Sequence, residues 1–412
     1  MKLSDVGDVL TATPALRALR QTFPTAPVSI LVPPTGAAAL MGSPLVDEII
    51  VFDKHRFDSP AGLVHPTAMI DALALFRRLR HARFDNVIVL HHLSTVWGAR
   101  KFALLAKITG AANIVGLDNG RGSFFTKSLV DEGFGYRHEV EYWLEVVRLL
   151  GADTDDWRLE ISVGPADEDR AEQLLAPSGE DSLIALHAGS GTYSLARRWP
   201  VARFAAVAND LARDFNPTFV LVGSSGEVDL TRKLASAIQG KTLDLGGMTT
   251  IGELAAVLRR CRLFLGNDSG VMHLACAVGC PTVAVFGPSN HRAWGPWTGH
   301  NWQNRATLNG SIETGLPRPK PGREEGSSPR SRHEQVEADS PRPNFAPGRR
   351  GKEDGAGDPF ARVVRVDLPC SPCLYIGKSV GSRDGCPERT CLDMVTPEMV
   401  RQAAEGMLRT HG

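Results

Sequence analysis

Short β-branched runs alternate along the chain with longer segments whose apolar residues fall three or four apart. In the first half the runs are "VSILV" (28–32), "EIIVF" (48–52), "NVIVL" (86–90) and "ANIVGL" (112–117). Between them lie "PALRALRQTF" and "IDALALFRRLRHARF", which have helical spacing. A further helix is predicted for "HEVEYWLEVVRLLG", stopped by Gly151. Strands alternating with helices predict a parallel sheet covered on both faces. The start breaks this rhythm. "MKLSDVGDVL" reads as a turn at Gly7-Asp8 feeding a helix, without the apolar strand that should precede such a turn.

A second series begins near residue 182 with "SLIALHAGSG", "PTFVLVGSSGE", "KTLDLGG", "RLFLGNDSG" and "PTVAVFGPSN". Each predicted strand ends in a loop of Gly, Ser or Asn. In open α/β sheets, ligands bind outside these carboxyl ends. The pattern predicts two Rossmann-like domains with parallel sheets facing a cleft. The first spans residues 1–165 with its first strand missing, and the second spans 166–395. Within the second, 304–358 holds seven Pro and eight Gly against five large apolar residues, too few to offset the entropy of ordering. It reads as a disordered insertion. Residues 396–412 read as a closing helix, with Thr396 as N-cap and Pro397 in the first turn.

Charge narrows the function classes. Lys+Arg and Asp+Glu both number 46, which argues against a dedicated nucleic-acid binder. No apolar run has the length of a membrane span, and the acidic, short start does not read as a signal peptide. The expectation is a soluble, cytoplasmic protein. Cys261, Cys276 and Cys280 sit in apolar surroundings and read as core thiols. Cys370, Cys373, Cys386 and Cys391 have spacing compatible with a structural zinc site, and equally with reduced thiols.

The loops carry the candidate chemistry. In "LFLGNDSGVMHLACAVG" a strand runs into Asn267-Asp268-Ser269-Gly270 and then into a helix. Free N–H groups and the positive dipole end meet there, so the loop suits an anion, with His273 one turn further on. A helix capped by Asp268 or Ser269 explains the same residues. "HAGSGTYSLARRWP" offers Gly189-Ser190-Gly191, without the third glycine of a dinucleotide fingerprint, and Arg197-Arg198 for phosphate oxygens. In "VGSSGE", Glu227 can accept both hydroxyls of a ribose, or be surface decoration. Asp8 can be a catalytic carboxylate or a helix N-cap.

Taken in order, "LSDVGDVLTATPALRALRQTFP", "ARRWP", "VGSSGE" and "NDSGVMHLACAVGCPTVAVFGPSN" resemble the landmarks of glycosyltransferase family nine, the lipopolysaccharide heptosyltransferases and their relatives. The similarity covers most of 1–303 and resumes at 360–410. It implies the two-domain GT-B fold and inverting transfer of a sugar, usually from ADP-heptose, to a lipopolysaccharide core or related glycan. It implies Asp8 as catalytic base, and Arg197, Ser190, Ser269, Gly270 and His273 around the donor diphosphate, with Asp268 ordering that loop. Glu227 would hold the ribose, and Met248 and Thr249 the base.

No cofactor is required by this chemistry, and no Asp-x-Asp metal motif is present in the second domain's phosphate loops. The lipid-linked acceptor would bring the protein to the inner membrane surface, where Arg77, Arg78, Arg80, His81 and Arg83 could meet anionic headgroups. A solvated helix face explains the same charges. His91 and His92 follow a strand and are candidates for the acceptor side. Two other readings stay open: a nucleotide-sugar epimerase, which also uses a GT-B fold, and a binding protein without turnover.

Overall fold

The computed structural model describes residues 1–53, 66–299, 352–354 and 358–411. The first half holds β1 (Ser29–Val32), β2 (Glu48–Val51), β3 (Asn86–Val89), β4 (Asn113–Asp118) and β5 (Lys127–Val130). Four of these are the β-branched runs of the sequence. The fifth, β5, was not foreseen: it is an edge strand whose residues are mostly exposed, so it carries no apolar pattern.

These strands form two parallel sheets, β1-β2 and β3-β4-β5. Met1 and Lys2 lie between them. The Met1 amine donates to Ile88 O (2.6 Å) and Met1 O accepts from Leu90 N (3.0 Å). Lys2 N donates to Leu31 O (2.9 Å) on the other side. These bonds join the sheets at the carboxyl ends of β1 and β3. Behind them is a cavity of about 730 Å³, lined by Leu16, Leu19, Ile30, Val87, Ile88 and Leu149. It lies between β1 and β3. The Met1 amine borders it, and burial, with Lys2 nearby, pushes its pKa down to about 5.

The second half is one seven-stranded sheet. It contains β6 (Leu183–His187), β7 (Thr218–Leu221), β8 (Lys241–Asp244), β9 (Leu263–Asn267), β10 (Thr282–Val285), β11 (Lys352–Asp354) and β12 (Ala361–Arg365). The order is β11-β12-β10-β9-β6-β7-β8, and every pair is parallel except β11 with β12. Strands β6, β7, β9 and β10 are buried on both faces. That is why they read as continuous apolar runs rather than alternating ones. Residues 300–351 and 355–357, most of the expected insertion, lie outside the described residues. Of the rest, β11 pairs with β12, and buried Asp358 accepts from Thr298 Oγ1 (2.7 Å).

The chain then forms a hairpin, β13 (Leu374–Ile376) and β14 (Ser379–Gly381). Cys373 N and Leu374 N both donate to Pro288 O (2.9 Å), in the loop after β10. Gly377 O accepts from Phe134 N (2.7 Å) of the first half. The hairpin thus bridges the halves. The closing helix Pro397–Thr410 has Thr396 as its cap, and Thr396 Oγ1 accepts from Met399 N. It buries Val400, Ala404 and Met407 in the second half's core.

The halves also meet through two short helices, Val6–Leu10 and Gly270–Ala277. Gly7 and Asp8 do not form the turn expected from the sequence; they lie inside the first of these helices. Its cap position is Asp5, whose carboxylate takes Thr35 Oγ1 (2.8 Å) instead of capping. Asp8 is therefore not an N-cap.

Candidate functional site

The site is built where β9 ends. Ser269 is the N-cap of the helix Gly270–Ala277, and its Oγ accepts from Met272 N. The same Oγ lies 3.1 Å from His187 Nδ1. Asn267, fully buried, ties the end of β9 to both ends of the connection that follows β6. Its Nδ2 donates to Ala188 O (2.9 Å) and Gly189 O (3.2 Å), and its Oδ1 accepts from Trp199 N (3.0 Å). Sequence reasoning gave no role to His187 and placed Asn267 only in the turn; in the structure each is the last residue of its strand.

Arg197 and Arg198 turn to different tasks. Arg198 holds its own loop, donating to Ser190 Oγ, Gly191 O and Glu227 Oε1. Arg197 reaches Asp268 Oδ2 (3.3 Å) and donates to Ser190 O (2.9 Å). Its buried Nε has no hydrogen-bond partner among the described residues. His273 is buried one turn into the helix, and its Nδ1 is likewise unpartnered. Burial pushes its pKa down to about 4 against the pull of Asp268, with Arg197 and Lys2 adding to the drop. The imidazole is neutral at pH 7 and keeps one N–H to give.

Asp8 faces this group. It is partly buried and lies within electrostatic reach of Arg197 and of Tyr375. The structure thus brings together Asp8, Arg197, Asp268, Ser269, Gly270 and His273, from both halves of the chain. Ser190 is turned away: its N–H donates to Glu227 Oε1 (3.2 Å) and its hydroxyl to Ser194 O (2.9 Å).

Glu227 is buried and fully engaged, which the image of an open ribose acceptor did not anticipate. Oε1 accepts from Ser190 N, Gly191 N and Arg198, and Oε2 from Ser224 N and Ser224 Oγ. Burial works against its charge, yet His187 and Ser224 hold its carboxyl well below the usual range. Met248 and Thr249 follow β8; Met248 is half exposed and Thr249 partly buried.

Other candidates fall elsewhere. Cys261, Cys276 and Cys280 are buried core thiols, as expected. Among the described residues, no three His, Cys, Asp or Glu side chains are grouped so as to hold a metal ion. Cys370, Cys373, Cys386 and Cys391, considered for zinc, are free thiols that lie within electrostatic reach of one another, with Cys391 buried and Cys370 and Cys386 exposed. His92 is a core residue, 3.0 Å from Asp131 Oδ2 and 3.1 Å from Glu139 Oε1. Of the basic helix, Arg78 pairs with Glu48 and Arg80 reaches Thr109 O.

A family model, glycosyltransferase family 9 (heptosyltransferase), matches residues 72–320. The chain belongs to this family. Among curated relatives, it is 24% identical over 308 residues to lipopolysaccharide heptosyltransferase 3 of Escherichia coli, covering 71% of this chain and 84% of that protein. Among solved structures, it aligns with the glycosyl transferase family 9 protein of Veillonella parvula at 25% identity and TM-score 0.60, over 76% of this chain and 89% of the other. It also aligns with the E. coli ADP-heptose lipopolysaccharide heptosyltransferase II at 19% identity and TM-score 0.62, over 99% of each. The two Rossmann-like halves are those of the GT-B fold, and the family 9 chain is a glycosyltransferase. Among its described residues, no helix is long and apolar enough to cross a membrane.

Proposed function

We propose that this glycosyltransferase moves a heptose from an ADP-linked donor to a lipopolysaccharide core or a related glycan, with inversion at the anomeric carbon. The supporting observation is Asp8 facing the Arg197–Asp268–His273 group across the junction of the halves. The names of the E. coli relatives supply the sugar and acceptor class.

In this reading Asp8 takes the proton of an acceptor hydroxyl, and that oxygen attacks the anomeric carbon. The bond from that carbon to the diphosphate oxygen breaks, and ADP departs with the electron pair. Arg197, His273 and the N–H groups opening the helix at Ser269 and Gly270 meet the growing charge. Met248 and Thr249 border the base. Glu227 reaches the ribose by exchanging one of its loop bonds. Residues 1–165 hold the acceptor, and 166–395 hold the nucleotide. A lipid-linked acceptor would place the basic helix Pro66–His81 at an anionic membrane surface. Exposed Met69, Ile70 and Leu73 on that helix suit the same contact.

The test is transfer from ADP-heptose to a deacylated lipopolysaccharide core by Asp8→Asn beside the wild type, with and without a chelator. Turnover should fall on the order of 10²- to 10⁴-fold while ADP-heptose still binds. Near-normal turnover would remove Asp8 from the reaction. Conversion of the donor sugar without any acceptor would replace transfer by epimerisation.

A further inference from the structure

Tyr375 borders the site through Tyr193, which lies beside Arg197. Tyr375 lies on β13, in the hairpin that bridges the halves. Its φ of +62° is in the left-handed region, which bulky side chains rarely adopt. Such conformations persist only where surrounding structure enforces them, and they cluster at working sites. The enforcement is visible. Asn290 Nδ2 donates to Tyr375 O (3.1 Å), and Leu374 is bridged to Ser289. The ring lies 5.1 Å from Phe134 of the first half, 5.4 Å from Trp294 and 6.3 Å from Tyr193, with which it is stacked. Tyr193 in turn lies 6.0 Å from the Arg197 guanidinium.

Asp8, Arg197 and Asp268 lie within electrostatic reach of the Tyr375 hydroxyl. Any sugar in transit must sit between the base and the departing diphosphate, and these three residues mark the two ends of that path. The phenol is only partly buried, and its hydroxyl makes no hydrogen bond to a described residue. Burial, Asp8 and Tyr193 all favour its neutral form, so it keeps its proton to give. Beside it, the buried Trp294 Nε1 and Ser289 Oγ are also without partners among the described residues. Idle donors next to aromatic faces match a sugar ring, which has an apolar C–H face and a polar hydroxyl rim.

We propose that Tyr375 is a sugar-binding residue of the transfer site. Its hydroxyl donates to an oxygen of the sugar being transferred, and its ring and Trp294 wall that sugar. This rests on the ADP-sugar transferase reading above.

The experiment titrates the full chain and Tyr375→Phe with ADP and with ADP-heptose by calorimetry. The variant keeps the ring, so its thermal midpoint should stay within about 1 °C, since only an exposed-edge hydroxyl is removed. Its affinity for ADP should be unchanged within about twofold, and that for ADP-heptose lower by on the order of tenfold, the value of one lost hydrogen bond in a closed site. A purely structural role would weaken both ligands together. Equal weakening, or undiminished ADP-heptose affinity, overturns the assignment of Tyr375. A wild-type chain that binds neither ligand overturns the transferase reading and the assignment with it.

Discussion

Gly7 and Gly270 pack backbone against backbone where the two halves of the chain meet. A β-carbon on Gly7 would stand 2.9 Å from Gly270 Cα and 3.0 Å from His273 Cδ2, closer than real contacts allow. Neither glycine has a positive φ, so space and not backbone conformation is what the position demands. The contact sets the helix carrying Asp8 directly against the helix whose N-terminus opens the anion loop.

Gly7→Ala should therefore push the two helices apart. Overpacking of this kind costs about 1–3 kcal/mol, and an ångström of misplacement can cost about a hundredfold in rate. Thermal unfolding and kcat/KM should both fall. Gly270→Ala is the control, because its β-carbon would meet Gly7 N at an ordinary 3.4 Å. It should be the milder change for thermal stability.

Asn267→Ala removes the bonds to Ala188 O, Gly189 O and Trp199 N at a fully buried position. Leaving such groups unsatisfied should destabilise the protein by about 2–4 kcal/mol. The loops carrying Arg197 and Ser269 would loosen together, so ADP affinity should drop alongside stability. Calorimetry and denaturant unfolding measure the two effects.

Two buried histidines give stability opposite pH dependences. Burial opposes charge on His92, but Glu139 and Asp131 outweigh it and raise its pKa to about 9. The unfolded value is about 6.5, so this contribution is complete below pH 6.5 and is lost as pH rises towards 9. The loss should be on the order of 2–3 kcal/mol. His273, held down to about 4, acts in the other direction: its contribution is lost as pH falls from about 6.5 towards 4. His92→Gln should flatten the alkaline limb of unfolding curves measured between pH 6 and 9 and leave the acid limb in place.

A short Val/Ile-rich segment fused ahead of Met1 should enter the cavity between β1 and β3 and pair with both. Each buried Val or Ile side chain contributes about 1.5–3 kcal/mol. The fusion also moves the amine out of its buried position. The thermal midpoint should rise by several degrees, and an equally long Gly/Ser segment should leave it unchanged.

Much of the fold was legible because the buried strands announce themselves. β6, β7, β9 and β10 are covered on both faces and read as unbroken apolar runs. Residues 127–130 and 374–381 gave no such signal, since an exposed edge and a small hairpin bury little. The anion loop at Asp268–Gly270 was also legible, because a strand, a turn of small residues and a helix must expose N–H groups there. Its companions were not. That Arg197 reaches Asp268 while Arg198 secures Glu227 depends on which way each side chain leaves one short turn.

The sequence alone therefore determined the alternation of strands and helices, the two Rossmann-like halves and the family, because local periodicity and contiguous motifs are written in neighbouring residues. Tertiary structure decided the rest. It set Asp8 opposite Arg197, Gly7 against Gly270, and Tyr375 near charges from both halves. These pairs are separated by at least a hundred residues of chain, and only packing of the two halves brings them within reach.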